Sequence, residues 1–247
     1  MTGADNERPL VLVLDAGRGG VRAAAVAEDS TAEASTHVPV PSEPGDHGWD
    51  EQATDALWRA TLAAVRGVLD VVGPDRLGAV GVTTDPVATV LWDRETLGSP
   101  RRAARAPAVE VLPRVAADEP HTWALLEEGG YAVGDVGSWL VARTTLGTWH
   151  LTDPTHAAAT GLLGADGAWS AQACLAAGVP TDALPELVPT TGRLATTEAR
   201  AFHGLTLPVT ALVAHGAAGD PSDDTPDDTP DGRLRRVAAA ARDGSLG

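Results

Sequence analysis

The chain has 247 residues, of which 18 are basic and 34 acidic, so its formal net charge is −16 at pH 7. This excess of acid argues against nucleic acid or an anionic membrane as the main partner, because either needs a basic face. All the basic residues are arginines, which excludes a phosphate-loop lysine and a Schiff-base mechanism. The single cysteine excludes a disulfide framework and a cysteine-rich zinc site. Because no apolar run is long enough for a membrane span, we expect a cytoplasmic protein.

The N-terminal part of the chain predicts three strands followed by a long helix. Residues 10–14 form a continuous apolar run ending in Asp-Ala-Gly, which is typical of a buried strand entering a tight turn. Residues 21–26 predict the second strand of a hairpin, and residues 37–40 predict a third strand. Apolar side chains at alternating steps of four and three predict an amphipathic helix over residues 52–72, ended by Gly73 and the following proline.

The middle of the chain predicts more strands and helices. Residues 77–82 and 88–92 are rich in β-forming residues. Residues 133–144 and 168–177 predict helices, and residues 207–213 form the last apolar run. A strand meander followed by a helix and further strands predicts an α/β fold, with a mixed sheet and helices packed on it.

The composition changes after residue 215. Residues 219–232 hold a tandem Asp-Asp-Thr-Pro repeat and six aspartates, so we expect a disordered acidic linker that is mobile in solution. Residues 233–247 are expected to form a short tail with one weak helical turn.

Several segments carry a resemblance to a known family, beginning with the Leu-Asp-Ala-Gly hairpin and a Gly-Trp-Asp-Glu-Gln segment. They are residues 12–17 with Arg22, residues 47–52 with Trp58, residues 77–96, residues 135–140, residues 152–158, and residues 184–189 with 207–209. In order and spacing they resemble the N-terminal domain of the FGGY carbohydrate kinases, closest to the glycerol kinase branch. The resemblance implies a ribonuclease H-like (actin-like ATPase) domain over residues 9–215, ATP and Mg²⁺ as cofactors, and a small polyol or sugar as substrate.

Within this resemblance, the first hairpin corresponds to the family's phosphate loop. The cofactor-binding positions then fall on Asp15, Gly17, Arg18, Gly19 and Arg22, with Asp15 also as the metal-linked carboxylate. In the family, hydroxyl-bearing residues follow the Asp-x-Gly, whereas this chain has arginine and glycines there. From the residues alone, the stretch is better explained as a flexible hairpin turn in which Asp15 caps the turn.

The positions implied for substrate and catalysis also depart from the family pattern. The Arg-Glu pair that contacts the sugar falls on Pro86 and Val87, and the catalytic aspartate falls on His215. A histidine can accept a proton, although an exposed histidine at a strand end needs no function. A shifted alignment would instead place Asp220 at the catalytic position.

Three functional hypotheses follow. The first is a kinase-family domain without catalytic activity by itself, a pseudokinase that acts as a binding or regulatory remnant. The second is half of an ATP-dependent carbohydrate kinase whose ATP-binding lobe comes from a second chain. The third is an interaction protein whose acidic tail docks a basic partner. The departures at Pro86, Val87 and His215 favour the first.

Overall fold

A six-stranded mixed sheet organises the chain in this computed structural model, which describes residues 9–45, 47–216 and 229–245. The strands are β1 (Leu10–Gly17), β2 (Gly20–Val26), β3 (Ala32–Pro39), β4 (Glu43–Pro44), β5 (Asp50–Gln52), β6 (Leu77–Thr84), β7 (Val90–Asp93), β8 (Ala103–Ala104), β9 (Tyr131–Gly134), β10 (Leu151–Thr152), β11 (Glu186–Leu187), β12 (Thr191–Thr196) and β13 (Pro208–Ala214). The helices are α1 (Thr54–Val72), α2 (Ala108–Asp118), α3 (Pro120–Glu127), α4 (Val136–Thr144), α5 (Pro154–Ala159), α6 (Ala171–Ala177) and α7 (Pro230–Ser245), with short 3₁₀ turns at Pro74–Arg76 and Thr181–Ala183.

The large sheet has the order β12-β13-β6-β1-β2-β3. Strands β1, β6 and β13 run parallel, while β2, β3 and β12 are antiparallel to their neighbours. Parallel central strands end at the same edge of the sheet, so residues that follow these three strands come together. This topology confirms the predicted α/β fold with a mixed sheet.

Both faces of the large sheet are buried at its centre, which explains why β1 is apolar without interruption. Leu12 and Leu14 lie in one core cluster with the apolar face of α1. Val11 and Val13 point to the other face and pack against α7. A strand covered on both faces gains hydrophobic stabilisation from every side chain, so it does not show the alternation of a half-exposed strand.

Helix α7 is longer than the single turn predicted for the C-terminal tail. It begins at Pro230, inside the stretch that we expected to be linker, and Thr229 caps it by accepting a hydrogen bond from the backbone N–H of Gly232 at 3.1 Å. Its buried side chains lie one and two turns apart and pack on β1, β2 and β13; they are Leu234, Val237, Ala238 and Ala241. Residues 219–228 of the predicted linker lie outside the described residues.

The predicted helix over residues 133–144 is corrected to a strand followed by a helix. Residues 131–134 form β9, which pairs antiparallel with β7. Helix α4 starts only after Asp135, whose carboxylate accepts from the backbone N–H of Ser138 at 3.0 Å. An aspartate N-cap fixes the start of a helix because it satisfies an otherwise unpaired N–H. The smaller helices α2, α3 and α6 enclose a second core cluster around Val111, Leu112 and Leu126.

In the described parts of the chain, no helix has the length and apolar character that crossing a bilayer requires.

Candidate functional site at the carboxyl edge of the sheet

A cavity of about 360 Å³ opens at the edge where β1, β6 and β13 end. It is lined by residues from the β1–β2 hairpin, the ends of the parallel strands, β3 and the start of α7. These residues are Asp15, Gly17, Arg18, Gly19, Gly20, Arg22, His37, Asp85, His215, Pro230 and Arg233. The structure therefore brings together every predicted cofactor-binding residue and His215, and it adds Asp85 and Arg233, which sequence reasoning missed.

Asp15 lines the cavity, and both oxygens of its buried carboxylate are engaged. His215 Nε2 donates to Oδ1 at 2.7 Å. Arg233 approaches Oδ2 with Nε at 3.3 Å and Nη2 at 3.2 Å. A guanidinium that meets a carboxylate oxygen through two nitrogens is a strong, directional partner. Asp15 is thus neutralised from within the chain.

The hairpin that presents Asp15 is fixed by a buried glutamine. Gln52 is only 2% exposed, and its side-chain amide lies within hydrogen-bond distance of the carbonyl oxygens of Gly17, Arg18 and Val40, at 3.0, 3.2 and 2.8 Å. This amide ties the turn to the segment after β3. Gln52 is the last residue of the Gly-Trp-Asp-Glu-Gln segment noted in the sequence, so the motif has a positioning role here.

Asp85 follows β6 and is bound by a buried arginine. Arg105, whose side chain is 4% exposed, forms a close ion pair with Asp85. Burial lowers the pKa of the Arg105 guanidinium, and the charge of Asp85 opposes that effect. An arginine remains protonated in either case. The two opposite charges of this ion pair cancel, so the pair adds no net charge beside the cavity.

The two remaining arginines of the cavity form looser ion pairs. Arg18 lies 3.4 Å from Asp50, and Arg22 lies 3.8 Å from Asp231 at the start of α7. The side chains of Asp50 and Asp231 are 44% and 76% exposed, and solvent-exposed ion pairs contribute little to stability. These two guanidinium groups can therefore turn toward a ligand at small cost.

Pro86 and Val87 lie outside the set of described residues that line the cavity. They form a turn in which the backbone N–H of Val87 donates to Asp85 Oδ1 at 3.0 Å, and the residue Val87 is 40% exposed. Neither side chain offers a hydrogen bond to a hydroxylated ligand. In this turn the polar side chain that lines the cavity belongs to Asp85, and its position directly after a parallel strand was the available sequence signal.

The residues present do not fit a divalent cation at Asp15. Among the described residues, no group of three or more histidine, cysteine, aspartate or glutamate side chains is arranged to hold a metal ion. Asp15 itself is engaged by Arg233 and His215, and a positively charged guanidinium repels a cation that approaches the same carboxylate. Asp220, the alternative catalytic position, lies outside the described residues.

A second polar cluster is buried immediately below the cavity. His156 is fully buried, with Nδ1 in close contact with Asp153 and Nε2 2.9 Å from Thr84 Oγ1. Asp135 Oδ1 lies 4.0 Å from the same Nε2. Burial alone would lower the pKa of His156, but Asp135 and Asp153 outweigh it and raise that pKa. The cluster links α4 and α5 to the end of β6, which carries Asp85.

The sheet order and the paired helical layers define a ribonuclease H-like (actin-like ATPase) fold, and comparisons with known proteins agree. Glycerol kinase from Plasmodium falciparum with ADP superposes with a TM-score of 0.73 at 16% identity, over 84% of this chain and 49% of that chain. Xylulose kinase from Rhodospirillum rubrum gives a TM-score of 0.74 at 20% identity, over 83% and 49%.

Sequence comparisons identify the family. Residues 10–103 match the FGGY family of carbohydrate kinases, N-terminal domain. Glycerol kinase of Gluconobacter oxydans is 28% identical over 231 residues, covering 80% of this chain and 45% of the relative. Glycerol kinase of Halorhodospira halophila is 30% identical over 209 residues, covering 70% and 40%. The chain spans about half the length of the curated relatives it matches, and it carries an FGGY carbohydrate kinase N-terminal domain.

Proposed function

We propose that this FGGY domain does not transfer phosphoryl groups from ATP by itself and serves as a binding or regulatory module. The observation that carries the proposal is the neutralised Asp15, whose two carboxylate oxygens contact His215 and Arg233. The family resemblance makes this carboxylate the link to Mg²⁺. In this chain a guanidinium and an imidazole take that place.

The charge chemistry of phosphoryl transfer supports the proposal. That reaction depends almost entirely on positioning and on stabilising the charge of the transferred group, with metal ions as the main source of positive charge. Arg233 opposes a metal ion at Asp15, because two cations beside one carboxylate repel each other. The Asp15 site therefore lacks the electrostatic arrangement that the reaction needs.

The residues at the positions implied for substrate binding also support the absence of catalysis. The positions that resemble the family's charged sugar contacts are Pro86 and Val87, and their side chains form no hydrogen bonds. Each lost hydrogen bond to a charged group forfeits ~1.5–3 kcal/mol, about a tenfold to hundredfold loss in affinity. His215, at the position of the catalytic aspartate, directs its Nε2 to Asp15. At Pro86, Val87 and His215 a polyol or sugar would therefore meet neither the charged pair nor the carboxylate base that the family resemblance implies.

An ADP-release assay tests this proposal. The purified chain is incubated with ATP, MgCl₂ and glycerol, xylulose or gluconate, the compounds named for kinases of similar fold. We expect a rate equal to that without protein, because positioning, metal and base are compromised together. ADP release that scales with protein concentration, and that is lost in the Asp15→Ala variant, would contradict the proposal.

A further inference from the structure

We propose that His156 and Thr84 form a proton-dependent switch, in which the charge of the buried imidazole sets the hydrogen bonds at the carboxyl edge of the sheet. The two side chains meet at 2.9 Å, between His156 Nε2 and Thr84 Oγ1. Thr84 is the last residue of β6, and the next residue, Asp85, lines the cavity. This switch is independent of the proposed function, because it concerns a hydrogen-bond network and not phosphoryl transfer.

The charged groups that face the ring come from the first turns of two helices. Asp153 caps α5 and contacts Nδ1 closely, and Asp135 caps α4 with its Oδ1 4.0 Å from Nε2. The other charged residue of α4, Arg143, stacks on Trp58 at 4.7 Å. The strands packed around the cluster, β6, β10 and β13, contain no titratable side chain. Loss of the imidazolium proton therefore leaves two buried carboxylates facing a neutral ring, which is unfavourable.

The hydrogen bond between His156 and Thr84 must reverse when that proton is lost. Both ring nitrogens of an imidazolium donate, so Nε2–H donates to Thr84 Oγ1 while Nδ1–H donates to Asp153. A carboxylate only accepts, so the proton that stays on the neutral ring is the one on Nδ1. Nε2 then becomes an acceptor, and the single hydroxyl proton of Thr84 must turn toward it.

Thr84 connects this reversal to the cavity through its backbone. Its carbonyl oxygen accepts from the backbone N–H of His215 at 2.8 Å. The N–H of the next residue, Asp85, donates to the carbonyl of Ala16 at the end of β1, at a long 3.4 Å. A change in the orientation of the Thr84 side chain thus acts at the point where β6 joins β1 and the residue after β13.

The cluster has little room in which to absorb such a change locally. At Gly137, on α4, an added Cβ would lie 2.9 Å from Asp135 Oδ1 and 3.0 Å from Thr84 Oγ1. Thr84 and His156 are both fully buried. Close-packed side chains of this kind pass a displacement to their neighbours because they have no free volume to move into.

NMR of the full chain tests the switch. In ¹⁵N-labelled protein, the ring signals of His156 are assigned by their absence in His156→Gln, and they are followed with the backbone amide of Asp85 from about pH 5 to about pH 9. Since Asp135 and Asp153 raise the pKa of His156, we expect its midpoint to lie above the ordinary value of 6.5. The Asp85 amide should show a step at the same midpoint.

Thr84→Val removes the hydroxyl and keeps the branched shape of the side chain. The step at Asp85 should shrink at least twofold, and the His156 midpoint should fall by about 0.5–1 pH unit, since a charged hydrogen bond is stronger than a neutral one. The matched control is Thr61→Val, because the buried Thr61 hydroxyl donates only within α1, to the carbonyl of Leu57 at 2.8 Å. It should change neither signal. Circular dichroism checks that both variants are folded.

Asp135→Asn provides a second arm that leaves Thr84 in place. Asparagine also caps helices, so the change mainly removes the negative charge near His156 Nε2. The midpoint of His156 should fall by about one pH unit or more, and the step at Asp85 should move with it.

The switch would be refuted by any of three results. They are a His156 ring that keeps one protonation state over the whole pH range, a step at Asp85 that does not move with the His156 midpoint in Asp135→Asn, and a step of unchanged size in Thr84→Val.

Discussion

Replacing His156 by leucine is expected to lower the free energy of unfolding by about 3–5 kcal/mol, because it leaves an uncompensated charge in the protein interior. Asp153 and Asp135 are both 1% exposed or less, and His156 faces both of them. Urea denaturation of the wild type and the variant measures the difference. His121→Leu, at an exposed position on α3, is the control and should change stability by no more than about 0.5 kcal/mol.

The same variant should alter how stability depends on pH. Since the folded state raises the pKa of His156, its ion pairs contribute fully below the ordinary value near 6.5 and are lost as the pH rises through the raised value. The wild type should therefore lose stability above about pH 6.5, and His156→Leu should lose less over that range. A variant with unchanged stability at neutral pH, or with the wild-type slope, would contradict the buried ion pair.

A methyl group on Gly20 is expected to destabilise the protein by about 3 kcal/mol, since it combines overpacking with backbone strain. Gly20 has a φ of +132°, and a Cβ there would lie 2.2 Å from the carbonyl oxygen of Val38 and 2.7 Å from the backbone nitrogen of Val40. Neither backbone atom can move away without breaking the pairing of β2 with β3. The change is Gly20→Ala, and urea denaturation measures it.

Gly19→Ala is the matched control one residue away. A Cβ on Gly19 has no described heavy atom within 4 Å, and its φ lies outside the left-handed region. We expect a change of no more than about 0.5 kcal/mol. If the two variants were equally stable, the close approach of the hairpin to the segment after β3 would be wrong, and with it the shape of the cavity.

Much of the site was predictable because it lies on strongly periodic elements. The apolar run of β1 and the glycines that follow it placed Asp15 at the edge of a buried strand. The order of the strands then brought His215 to the same edge, 200 residues later. The position of Asp15 follows from the hydrophobic pattern, which a sequence expresses directly, whereas His215 was assigned to the site by the family resemblance.

Arg233 was missed for a physical reason. It follows an acidic repeat and begins a helix whose buried face includes two alanines among four residues. Those residues, Leu234, Val237, Ala238 and Ala241, have the spacing i, i+3, i+4, i+7 of a helix face, but small side chains give a weak apolar signal. The contact with Asp15 depends on tertiary packing of α7 across the sheet, and no local sequence pattern predicts such a contact.

The pairing of Asp85 with Arg105 was also invisible in the sequence. Twenty residues separate them, with β7 and β8 between, and no motif joins the two residues. Ion pairs of this kind depend on how loops are placed, which propensity and periodicity do not determine.

The central claim, that Arg233 and not a metal ion neutralises Asp15, is tested most directly by NMR of the arginine side chains. The Nε–H signal of Arg233 is assigned in ¹⁵N-labelled protein by its disappearance in Arg233→Lys, and MgCl₂ is then titrated with and without ATP. We predict that the signal stays at its position at millimolar Mg²⁺, because the guanidinium remains on Asp15. Movement of that signal to the position of solvent-exposed arginines as Mg²⁺ is added would contradict the account.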